Sequence, residues 1–86
     1  MKVKFQQNFT NQFKELSKTQ KRLLADTIEL FTEDPMHNSL RNHPLKDKWV
    51  NYRSITADGD LRLHYRLIDK DTALFVAVGT HDELYR

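Results

Sequence analysis

Beyond its first six residues, the spacing of apolar side chains in this sequence changes only once. From Phe9 to Phe31 they recur every three or four positions: Phe9, Phe13 and Leu16, then Leu23, Leu24, Ile28 and Phe31. That is the period of helices with one buried face. From Trp49 onward the period is two, through "WVNYRSIT", "LRLHYRLI" and "ALFVAV", the pattern of strands whose two faces differ. A helical half followed by a stranded half restricts the chain to an α+β domain, with two helices packed on a small antiparallel sheet. "KVKFQ" at the start also alternates, with Val3 and Phe5 on one side. The predicted order is therefore β-α-α-β-β-β.

Local signals agree with this division. Asn8 can cap the first helix, and "SKTQ" is a capping box, Ser17 answered by Gln20. Pro35 stops the second helix and biases Asp34 out of helical geometry. Residues 35–48 have no period and read as an extended connection anchored by Met36, Leu40 and Leu45. "ADGD" carries the Asp-Gly signal of a tight hairpin, and "DKDT" turns again into the last strand.

With 86 residues, the chain makes one domain, 1–86. A chain of this size buries only about 60–65% of its unfolded surface, so its core is small. It contains no cysteine, which excludes a disulfide framework, a thiolate metal site and a cysteine nucleophile, and suits a reducing cytoplasm. No secretory signal is visible, and no apolar run approaches the roughly 20 residues of a membrane span. The expectation is a soluble cytoplasmic protein with no membrane partner. The net charge is only +2, with Lys and Arg interleaved among acids, so any basic surface must be assembled by folding.

Alternation in "LRLHYRLI" puts Leu61, Leu63, Tyr65 and Leu67 under the helices and Arg62, His64 and Arg66 on the opposite side. That side is predicted to be an open, cationic sheet face. Asn51 and Arg53 are expected to join it from the preceding strand, and His81 from the end of the following one. Among the four histidines, His37, His43, His64 and His81, no pair has a metal-ligand spacing. Neither a metal nor another cofactor is implied. His37 reads as a surface residue. His43 is held extended by Pro44, and His81 follows a glycine that lets the backbone turn at the strand end. Two imidazoles can act as general base and general acid without a cofactor. Arginine beside them can hold a charged phosphorane-like transition state, and tyrosine offers a ring for stacking. These are the groups of a nuclease that uses the RNA's own 2′-hydroxyl as nucleophile.

"NHPLKDKWVNYRS", "GDLRLHYRLID" and "VGTHDELY" together resemble the RelE/YafQ family of bacterial type II toxins, most closely its YafQ-like branch. By motif the resemblance covers roughly residues 40–86, and by length and order of elements the whole chain. It implies two helices on a small antiparallel sheet. It also implies an endoribonuclease that cuts messenger RNA, typically on the ribosome, and a cognate antitoxin that neutralises it in a hetero-oligomer. By position, His43 matches the family's catalytic His-Pro-Leu histidine and Asp60 an active-site aspartate. His81 matches the Gly-Thr-His general acid, and Tyr85 the aromatic that closes that segment. Arg62 falls where the RelE branch keeps a catalytic arginine. Lys46, Lys48, Trp49, Arg53 and His64 are the expected RNA contacts, Arg53 ahead of the two lysines. Thr56 departs from the pattern, since YafQ-like members often carry a histidine there. Two alternatives stay open: a ParE-like toxin that acts on DNA gyrase without cutting RNA, and a catalytically degenerate interaction or co-repressor module. The paired histidines argue against the first, and Thr56 keeps the second in view.

Overall fold

The computed structural model describes residues 1–85. Strand β1 (Lys2–Phe5) leads into helices α1 (Gln7–Lys14) and α2 (Lys18–Glu33). A connection follows, with single 3-10 turns at Asn38–Leu40 and Asp47–Trp49 around the short strand β2 (His43–Pro44). Strands β3 (Arg53–Asp58), β4 (Leu61–Asp69) and β5 (Thr72–Thr80) come next, and a four-residue helix α3 (His81–Leu84) ends the set. The sheet order is β1-β5-β4-β3-β2. The α+β architecture is the expected one, with three additions. β1 pairs parallel to β5, so the sheet is mixed; β2 adds an edge strand; and α3 follows the last long strand. No helix is long and apolar enough to cross a membrane.

The main core lies between α1, α2 and one face of the sheet. Phe9, Leu24 and Phe31 meet Ile55, Leu61, Leu63, Tyr65, Phe75 and Val78 there. Phe31 stands edge-on to both Tyr65 and Phe75, with centroids 4.9 and 5.2 Å away. α2 starts at the expected capping box: the Ser17 side chain accepts from the Gln20 N–H, and the Gln20 side chain accepts from the Ser17 N–H. Asn8 is not a cap. α1 begins two residues earlier than that cap implies, with Gln6 at the N-cap, and Asn8 instead reaches the sheet.

A bulge in β5 accounts for that reach. His64 of β4 faces Ala77 and Tyr65 faces Phe75, which leaves Val76 as an extra residue. A bulge interrupts the ladder and strands backbone groups that burial would make costly. Here α1 supplies the partners. Asn8 Nδ2 donates to the Val76 carbonyl at 2.9 Å, and the Val78 N–H donates to Gln12 Oε1 at 2.8 Å.

The bulge also creates a second apolar cluster on the far face of the sheet. Val76 and Ala77 meet Leu84 of α3 there, flanked by Trp49, Tyr52, Leu74 and Tyr85. The expected open face is thus partly roofed. Three further expectations change. "WVNYRSIT" does not run as one strand, because Asn51 adopts left-handed backbone (φ 74°) and the ladder begins at Arg53. Leu67 does not pack under the helices: the end of the β4–β5 hairpin, residues 66–71, is exposed throughout. Gly79 does not turn the chain, since it lies inside β5 and the strand runs on to Thr80.

Gly79 is needed for space. A Cβ there would lie 3.2 Å from Glu83 Oε1 and 3.3 Å from Glu83 Cβ. Glu83 is the return arm of the α3 capping box: its carboxylate accepts from the Thr80 N–H at 2.8 Å, and its own N–H donates to Thr80 Oγ1 at 3.3 Å. Gly79→Val is expected to lower stability by about 1–3 kcal/mol in a urea melt, the usual range for overpacking, although valine is otherwise a favoured strand residue. Unchanged stability would mean that α3 yields without cost.

Candidate active site

Thr56 and Arg62 are cross-strand partners on β3 and β4, on the face opposite the helices. Arg62 Nη1 donates to Thr56 Oγ1 at 2.9 Å. The threonine that departs from the family pattern therefore holds the guanidinium in place. His43 approaches from β2, which pairs with β3 through His43–Ser54 and Pro44–Arg53. Its Nδ1 lies 2.8 Å from the Arg41 carbonyl. A carbonyl can only accept, so Nδ1 carries the proton and Nε2 of the neutral ring keeps its lone pair. His81 opens α3, and its ring lies against Tyr85 with centroids 4.5 Å apart and planes at 33°.

These side chains line one cleft of about 350 Å³, formed by Arg41, His43, Thr56, Arg62, His81 and Tyr85. His43, Arg62, His81 and Tyr85 are thus brought together. Asp60 is not among the lining residues. Its carboxylate accepts from the His81 backbone N–H at 3.4 Å, so it ties the hairpin turn to the start of α3. Arg41 is a lining residue that sequence reasoning missed. It sits at the end of a 3-10 turn with a left-handed φ of 51°, a conformation that an arginine does not announce.

A second cleft of about 520 Å³ adjoins the first through His43, His81 and Tyr85, and is lined by Pro44 to Trp49. Lys46 and Lys48 are among its lining residues. Trp49 also borders it, yet the indole is an anchor: Nε1–H donates to the Leu84 carbonyl at 3.2 Å, and the ring meets Tyr52 and His64 edge-on.

Two expected RNA contacts lie elsewhere. Arg53 pairs with Tyr65 in register, and partners in register share a face, so it lies on the side away from Thr56 and Arg62. Its Nε donates to Asn42 Oδ1 at 2.8 Å, while Asn42 Nδ2 donates to the Tyr65 hydroxyl and the Pro35 carbonyl. That network pins the connection carrying Arg41 and His43. His64 has the predicted parity but no exposure. It is fully buried, 4.4 Å from the Trp49 ring and 5.4 Å from the Tyr85 ring. Burial first, then the charges of His43, Arg62 and His81, push its pKa down to about 4. Burial also raises the Tyr85 phenol above its usual value, against the pull of Arg62, so it stays protonated at neutral pH. His37 is structural, its Nδ1 accepting from the Ser39 N–H at 3.1 Å.

The cleft thus presents one imidazole with a free nitrogen, a second imidazole, and a fixed guanidinium to a common space. Such a set can move protons around a phosphodiester and hold its charge. Among the described residues, no three His, Asp or Glu side chains gather as a metal-binding group.

Relatives share this frame. YafQ from E. coli superimposes with a TM-score of 0.82 at 24% identity, over 98% of this chain and 97% of that one. The E. coli DinJ–YafQ toxin–antitoxin complex gives a TM-score of 0.79 at 24% identity, over 98% and 96%. A metal-bound toxin from Helicobacter pylori gives 0.78 at 28% identity, over 98% of each chain. No functionally curated protein matches the sequence. The family model of the bacterial toxin of type II toxin–antitoxin systems, YafQ, matches residues 1–86. The chain belongs to the YafQ family of bacterial type II toxins.

Proposed function

We propose that this toxin is an endoribonuclease that cuts messenger RNA on the ribosome. The observation that carries the proposal is the convergence of His43, Arg62 and His81 on one cleft. His43 Nε2 takes the proton from a ribose 2′-hydroxyl, and that oxygen attacks the adjacent phosphorus. Arg62 holds the charge that develops on the non-bridging oxygens. The bond from phosphorus to the 5′-oxygen breaks, and His81 protonates the departing oxygen. The products are a 2′,3′-cyclic phosphate and a 5′-hydroxyl. Tyr85 fixes the His81 ring by stacking, and Asp60 fixes its backbone. Both proton transfers rest on imidazoles, so the rate is expected to be indifferent to a chelator.

Lys46 and Lys48 are proposed to border the path of the RNA backbone. The buried His64 and the Asn42-bound Arg53 support the site from outside that path. By analogy with DinJ–YafQ, the toxin is neutralised by a cognate antitoxin in a hetero-oligomer. That partner is expected to lay acidic side chains near Arg62 or His81, where charge complementarity favours them. Cutting messenger RNA on ribosomes is work in the cytoplasm, the compartment this reading gives the protein.

The experiment is induction of the wild type and His81→Ala in bacterial cells, with messenger RNA 5′ ends mapped. In-frame cuts and growth arrest that vanish in the variant support the proposal. Arrest without new cuts, equal in both, favours a toxin that acts by binding; neither arrest nor cuts favours a degenerate module.

A further inference from the structure

The cleft at the reactive centre is the middle of three. Through His43, His81 and Tyr85 it joins the one lined by Lys46 and Lys48. Through Arg41, Thr56 and Arg62 it joins a third, of about 530 Å³, walled by Asn38, Ser39, Asp58 and Gly59. The chain therefore carries a continuous groove that extends past the reactive centre on both sides. A strand of nucleic acid is a ligand of that shape, and it needs a cation at each phosphate it passes.

Two cations line the third cleft, Arg62, which is bound to Thr56, and Arg41. The Arg41 side chain is exposed and makes no hydrogen bond or ion pair with the described residues. Its backbone, in contrast, is held. The Arg41 N–H donates to the Asn38 carbonyl, its carbonyl accepts from His43 Nδ1, and its φ of 51° turns the side chain's root out of the local helical path. A rigid root with an uncommitted guanidinium is the arrangement of a phosphate holder.

We infer that Arg41 forms a second phosphate subsite in the third cleft, which binds the phosphodiester next to the one being cut. The inference rests on the nuclease reading for its substrate class, single-stranded RNA. The same residue then couples the two positions, because the carbonyl that sets the His43 tautomer belongs to the residue whose side chain holds the neighbouring phosphate.

The test is binding of a fluorescent RNA hexamer, 2′-O-methylated throughout so that it cannot be cut, to the purified toxin over a series of salt concentrations. Arg41→Asn is the variant of choice, since asparagine tolerates the left-handed backbone that alanine does not. Loss of one phosphate contact is expected to make the slope of log Kd against log salt shallower by about 0.7. Arg41→Lys keeps a charge there and should keep the slope. Arg22→Asn, on the exposed side of α2, should bind as wild type does. An unchanged slope in Arg41→Asn overturns the subsite, as does a wild type that fails to bind the hexamer at low salt. A loss of slope in Arg41→Lys equal to that in Arg41→Asn also overturns it, by pointing to a disturbed backbone. Cleavage of messenger RNA on programmed ribosomes by the same samples separates the two ideas. Wild type that binds with the Arg41-dependent slope but does not cut refutes the nuclease reading and leaves the subsite standing.

Discussion

Arg62→Ala is expected to slow the single-turnover cleavage of messenger RNA on programmed ribosomes by about 10²–10³-fold, or about 2.7–4 kcal/mol of transition-state stabilisation. The residue stands on β4 in the same cleft as both histidines, with its Nη1 bound to Thr56. Removing it takes away the guanidinium that Thr56 holds against the charge growing on the phosphoryl oxygens. Arg62→Lys restores a charge but not the planar fork, so it should recover only part of the rate. Thr56→Val removes the acceptor that aims the guanidinium while keeping the volume of the side chain. It should slow the reaction about 10-fold, mainly in kcat, and Thr56→Ser should restore it. In Arg62→Ala the threonine has nothing left to position, so adding Thr56→Val should cost little more. That non-additivity is the signature of one residue acting through another. A full wild-type rate in Arg62→Ala would remove the arginine from the reaction, and a Thr56→Val loss that adds in full to Arg62→Ala would make the threonine merely structural.

The second large effect is on stability, and it comes from His64. The imidazole has an ordinary value of 6.5 in the unfolded chain and about 4 in the folded protein, where burial is the chief cause. Between those values the unfolded chain binds a proton that the folded protein refuses, so stability falls as pH falls. The loss begins near pH 6.5, is complete near pH 4, and amounts to about 3 kcal/mol from a shift of this size. Above pH 6.5 the group contributes no pH dependence. Both ring nitrogens and the neighbouring Ser54 hydroxyl also lack a hydrogen-bond partner among the described residues, so a ring without nitrogens loses nothing there. His64→Phe should therefore be at least as stable at pH 7 and should lack the fall between pH 6.5 and 4. Urea melts of both proteins across that range, read as a difference, cancel the carboxylates that titrate in each. Parallel curves would show that His64 takes up its proton as freely in the folded protein as in the unfolded chain.

The sequence legibly carried everything that depends on neighbours along the chain. Helix and strand periods, the Ser17–Gln20 capping box and the inward row of Leu61, Leu63 and Tyr65 are local patterns, and each appears in the structure. The motifs around His43, Arg62, His81 and Tyr85 were legible as a set, and those four side chains meet in one cleft.

Contacts between strands were not legible, because register is a property of the pair. Arg53 was expected beside Arg62, but its pairing with Tyr65 puts it on the other face. His64 was expected on an open surface. Its parity was read correctly, but the Val76 bulge, α3 and the Trp49 turn close over it. Arg41 carried no signal at all, since only the left-handed end of a 3-10 turn brings it to the groove. By itself the sequence determined the elements, the two-layer α+β plan and the chemical kinds of side chain at the site, because period and capping act within a few residues. The tertiary structure alone decided which of those side chains share a cleft, which are sealed beneath it, and that Thr56 aims Arg62. Those outcomes depend on register, a bulge and packing between segments far apart in the chain, which no local period encodes.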